Sequence, residues 1–283
     1  MKRIVCTTLV VLAVAAMAAA QAGVTSGSGP QASTPTSQRK APRSAKTPEE
    51  GNAYQAIVTN PDVAAAEAGA KDFEAKYPQS ELLGPIYQNL MYRFQQTNNA
   101  DKTVEMGRKA LQFDADNPMA LVTVASVLSE RTKETDLDRD QRLAEAMQDA
   151  QHALTGMGAW LATAPITDEQ AAGVKPLLSS FAYAAMGMVE MTRKNPAEAE
   201  KYYRLAVEMN TVRPEAITWL RFALTLDAQK KYAEALTAAN KAVELSAATP
   251  GMVADWAKQE QARLGKLTGQ PAPAPATPPP PKS

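Results

Sequence analysis

Few residues in this chain could do chemistry. His152 is the single histidine, so no histidine pair exists to hold a metal. It lies between Ala150 and Ala153 in a helical stretch, with no nucleophile turn nearby. It reads as a satisfied or surface histidine. Asp136, Asp138 and Asp140 alternate as in a calcium loop. The central glycine is missing, and Gln141 and Arg142 stand where further oxygen ligands are needed. Cys6 is the only cysteine, so a disulfide within the chain is excluded. No glycine-rich phosphate loop occurs, and the carboxylates are scattered at solvent-face spacing. These residues predict a protein that is not an enzyme and uses no cofactor or metal.

Binding is the better expectation, and a duplication supports it. Residues 180–249 carry one pattern twice. Tyr183, Met186, Gly187, Ala199, Tyr203 and Ala206 are followed, 36 positions on, by Trp219, Phe222, Ala223, Ala235, Ala239 and Ala242. A fixed period of this length marks stacked helical hairpins, none of which can bury its apolar face alone. The small residues mark where the two helices of a hairpin, A and B, cross closely; the aromatic residues fill the remaining space.

The spacing of aromatic, hydrophobic and small residues in both copies resembles the tetratricopeptide-repeat (TPR) family. The expected fold is all-α: a TPR-like α-solenoid of about five helix-turn-helix repeats with a C-terminal capping helix, over residues 49–268. In that family the A helices line a concave groove. By slot, the resemblance puts Gln88, Tyr92, Gln95, Ser126, Ser129, Met188, Met191, Leu220 and Leu224 on the partner-binding face. The early half is polar and the late half apolar, which suits an extended or helical peptide. The Lys, Arg and Asn with which one TPR subgroup grips a carboxylate tail are absent from these slots.

Asn60-Pro61 and Asn195-Pro196 are expected to cap second helices, the latter as a capping box with Glu198, and Asn117-Pro118 opens the third repeat. The third repeat's B-helix stripe, Ala146, Ala150 and Ala153, comes nine residues late, with Arg131–Gln141 as a rim insertion. Thr167 and Gln170 form a capping box for a short helix, and Pro176 is expected to begin the fourth repeat. Trp160 is expected to cover the third repeat's core. Met252, Val253, Trp256 and Leu264 mark the capping helix.

The flanks differ in composition. Lys2 and Arg3 precede an apolar run from Ile4 to Ala20, so residues 1–22 read as a secretory signal peptide. Residues 23–48, rich in Ser, Thr, Gly and Pro, read as a disordered basic linker carrying Arg39, Lys40, Arg43 and Lys46. Residues 269–283 form a Pro-rich tail. All 30 acidic residues lie at or beyond Glu49, so a basic arm precedes an acidic body. Four arm charges are few for nucleic acid or lipid, and no stable membrane insertion is expected after signal cleavage. The sequence thus predicts a periplasmic or secreted scaffold for a protein or peptide partner. The alternative is a structural envelope protein whose arm and tail make the contacts.

Overall fold

The structure, a computed structural model, describes residues 43–269. The signal peptide, most of the basic linker and nearly all of the Pro-rich tail lie outside these residues. Among the described residues every regular element is helical. The helices are α1 (Pro48–Val58), α2 (Val63–Lys76), α3 (Leu83–Gln96), α4 (Ala100–Phe113), α5 (Pro118–Arg131), α6 (Arg139–Thr163), α7 (Asp168–Thr192), α8 (Pro196–Met209), α9 (Ala216–Ala228), α10 (Tyr232–Ser246) and α11 (Met252–Thr268). Five A/B hairpins and a final helix result, as the repeat slots predict.

The slots explain the pairing. Ala199, Tyr203 and Ala206 on α8, and Ala235, Ala239 and Ala242 on α10, have no exposed surface. In the third repeat Ala146, Ala150 and Ala153 do the same on α6, so the late stripe is used in full. The insertion shrinks to a loop over 132–138, because α6 already begins at Arg139. There Asp136 accepts the Lys133 amide, Asp138 pairs with Arg142, and Asp140 pairs with Arg139. Leu137 at its tip is fully exposed.

Several boundaries differ from the expected ones. The cap of α2 is Asp62, accepting from the Ala64 and Ala65 amides; Pro61 lies in the turn, and Asn60 accepts the Asp62 amide. Asn195 stands at the N-cap of α8 but makes no side-chain capping bond, because its side chain donates to Glu190, and Glu198 pairs with Lys201 in place of a capping box. Pro196 does occupy the first turn. The Thr167–Gln170 capping box forms, but the helix it opens is not short. It runs through Pro176 to Thr192. The chain upstream is already capped, and Leu177, Leu178 and Phe181 continue a buried face, which outweighs the one hydrogen bond that proline removes.

Three hairpins turn in the same way. Asn98, Lys194 and Lys230 have φ of 58°, 65° and 61° immediately after the A-helix C-caps. The amide after each reaches back five residues, Asn99 to Phe94, Asn195 to Glu190 and Lys231 to Leu226. This is the Schellman closure, which satisfies carbonyls left open at a helix end.

The array curves towards its A helices. α1 lies against α3, α5 against α7, and α9 against α11. Among the described residues no successive B helices come equally close. The wider B-side gaps are spanned by long ion pairs: Lys102–Glu67 at 2.8 Å, Lys109–Glu74 at 3.0 Å and Arg108–Glu145 at 2.6 Å. None of these helices is long and apolar enough to cross a membrane.

Candidate interaction surface

The inner wall is built from α3, α5, α7 and α9, and the wall residues separate into two groups. Met188 and Met191 on α7 and Leu224 on α9 are half-buried, so each keeps surface for contact. Leu224 rests on the cluster of Ile217, Leu220, Ala242 and Ala257, beside Trp256 of α11. Leu220 itself is a correction: it has no exposed surface, because α11 covers it. Its slot opens outward in an uncapped array and is closed here by the final helix.

The polar half is also partly spent on structure. Ser129 is buried, and its hydroxyl donates to the Ser126 carbonyl at 3.0 Å, so it offers no contact surface. Ser126 is half-buried. Gln88 ties α3 to the start of α5, accepting from the Asn117 amide group at 2.7 Å. Tyr92 is 7% exposed; burial pushes its phenol well above the usual range, and Gln88 lies beside it. The Tyr92 hydroxyl and Gln95 Oε1 are buried without a geometrically sound hydrogen bond to protein. Gln95 otherwise keeps some exposure. Buried polar atoms are normally paired.

One feature of the wall had no sequence signal. Arg221 on α9 donates to Glu130 on α5 at 2.7 Å, across 91 residues of sequence, and both side chains are nearly buried. The pair steps over α7. The Tyr203 hydroxyl, buried within α8 and making no hydrogen bond to protein, senses both charges. Close by, burial pushes the Glu215 carboxyl up to about 8, opposed only by attraction to Arg221. The Arg221–Glu130 pair does not follow from repeat slots, since it joins the third repeat to the fifth.

His152, Asp136, Asp138 and Asp140 all keep exposed surface. His152 Nε2 lies 2.8 Å from Asp116, on the exposed flank of α6. Among the described residues no three His, Cys, Asp or Glu side chains converge as a metal site. Trp160 is half-buried against the main core, and its indole donates to Asp114 at 3.1 Å.

The fold and wall thus define a curved array of helical hairpins of the kind that serves as an interaction scaffold. The tetratricopeptide-repeat family model matches residues 182–212 and 216–249, the two copies first seen in the sequence. Over these residues the chain carries two tetratricopeptide repeats. No curated protein sequence matches it. Among solved structures, Pseudomonas aeruginosa PilF is similar with a TM-score of 0.52 and 21% identity, covering 78% of this chain and 86% of that one. That likeness is one of fold. The RpL4 assembly chaperone Acl4 is similar at a TM-score of 0.39 and 11% identity, covering 78% of this chain and 97% of that one.

Proposed function

We propose that this protein is a non-catalytic scaffold of the bacterial cell envelope that holds a segment of a partner protein along its inner wall. The observation that carries this reading is the apolar row of Met188, Met191 and Leu224. It is left half-exposed on the concave side of the two repeats that match the family. Methionine suits such a surface, because its flexible thioether adapts to different partner side chains. The wall is preformed, so little ordering cost falls on the scaffold when a segment binds. Support for export comes from the basic start and apolar run of residues 1–22.

Site-specific photocrosslinking tests the reading. A crosslinker at Met188 in the full chain, expressed in a bacterial envelope, should capture a discrete partner. Met188→Asp and Leu224→Asp should each abolish capture from a crosslinker at Met191 while the melting transition is kept. Unchanged capture in both variants overturns groove binding. The second reading, contact through arm and tail, is supported by the basic composition of residues 23–48 and the Pro-rich residues 269–283. It predicts instead that deleting residues 23–42 and 270–283 abolishes association and that the two wall variants are silent.

A further inference from the structure

The first described residues are tied to the array by Arg43, alongside Ala45 packed on the core and a Lys46 Nζ bond to the Gln79 carbonyl at 3.4 Å. Arg43 Nη2 donates to Asp114 Oδ2 at 2.6 Å. Asp114 sits at the C-terminal end of α4, and its side chain is only 12% exposed. A carboxylate so far withdrawn from water needs charged or hydrogen-bonding partners. It has two. The Trp160 indole, from the far end of α6, donates to both of its oxygens at 3.3 and 3.1 Å and fixes its orientation. Arg43 supplies the countercharge.

The third wall is an absence of side chain. Gly84 opens α3, and a Cβ there would lie 2.8 Å from Arg43 Nη1. The guanidinium thus has one nitrogen on the carboxylate and the other over bare backbone. Behind it the Phe113 ring stacks on Tyr87, with ring centroids 5.9 Å apart and planes 4° from parallel. A planar fork fits this arrangement, whereas an ammonium has one nitrogen and cannot occupy both positions. Three residues on, the Lys46 amide donates to Glu50 at 2.5 Å, and Thr47 caps α1, so the segment is held at both ends.

We propose that Gly84, Asp114 and Trp160 form a guanidinium-binding pocket, and that Arg43 of the basic arm is its resident ligand, clasping the arm to the second and third repeats. The pocket shares no residue with the apolar row of Met188, Met191 and Leu224, so it stands whether or not that row holds a partner. Its walls come from α3, α4 and α6, and the clasp therefore joins the arm to two repeats at once.

The test uses full-length protein and the Trp160 indole proton, assigned by Trp160→Phe, as the reporter. In Arg43→Ala the pocket is vacated. Arginine amide should then shift the indole resonance saturably, and lysine amide should bind about tenfold more weakly, the loss expected for one charge-assisted hydrogen bond. The wild-type chain should not respond, because Arg43 fills the pocket. Arg43→Ala combined with the isosteric Asp114→Asn should respond to neither. Equal responses to both amides, persistence with Asp114→Asn, or no response in Arg43→Ala each overturn the proposal. As an independent readout, trypsin cleavage after Lys46 should be several-fold faster in Arg43→Ala than in wild type. An unchanged cleavage rate overturns the clasp.

Discussion

Gly187 lies against the face of Tyr203: a Cβ at position 187 would stand 2.8–3.0 Å from three of its ring carbons. The second repeat solves the same helix crossing the other way round. There the A-helix slot equivalent to Gly187 holds Met91, and the B-helix slot equivalent to Tyr203 holds Gly107. A Cβ on Gly107 would meet Val124 at 2.5 Å and the Met91 sulfur at 3.2 Å. The fifth repeat has alanine on both sides, Ala223 and Ala239. What is kept from repeat to repeat is glycine or alanine on at least one side of the crossing, since an interior at crystal-like density leaves no room there for two large side chains.

Gly187→Ala should therefore destabilise the array by about 1–3 kcal/mol through overpacking. Tyr203→Leu alone should also cost stability, by leaving a void. Together the two changes should cost less than their sum, because each relieves the other. Urea unfolding of the four proteins measures the coupling. Strict additivity would show that the ring and the glycine do not share one space.

The ion pair across the inner wall makes a second prediction. Arg221→Met strands Glu130 nearly buried, and loss of one partner of such a pair costs about 3 kcal/mol or more. Replacing both, with Glu130→Leu added, should recover most of that loss. Denaturation midpoints at constant m-value distinguish these outcomes.

How much of this was legible follows from the range of each interaction. Gly187, Ala199 and Ala206 announced the fold because a hairpin crossing is set by residues within one repeat. The capping box at Thr167 and Gln170 was readable for the same reason. Pro176 misled, since its effect on a helix depends on the burial of Leu177 and Leu178 beyond it. Leu220 and Ser129 misled as contact residues. Their slots face the wall, but α11 covers one and local packing the other. Arg221–Glu130 and Arg43–Asp114, 91 and 71 residues apart, left no trace in the sequence. Both depend on the curvature of the assembled array.

The αL turns give a third prediction. Lys230 pays the left-handed penalty of a residue with a Cβ, about 1–2 kcal/mol, at a position glycine adopts freely. Glycine's larger unfolded-state entropy returns part of the gain. Lys230→Gly should thus stabilise the protein by up to about 1 kcal/mol, read as a raised melting temperature, and leave any binding at the inner wall unchanged.

Glu215 makes stability depend on pH. Its folded carboxyl titrates near 8, above the ordinary value of 4.5, because burial disfavours its charge. The folded state then holds a proton that the unfolded state has released. This contribution is complete below about pH 4.5 and is lost as pH rises through 8. Glu215→Gln removes the ionisation in both states. It should therefore gain stability relative to wild type on going from pH 5 to pH 8, on the order of 1 kcal/mol or more. Asp149, raised to about 7 by burial and by neighbouring Glu145, adds a loss of the same sign in both proteins. Comparing wild type with Glu215→Gln at each pH cancels the Asp149 share. Parallel pH profiles for the two would mean that Glu215 is solvated and ionised like a surface glutamate.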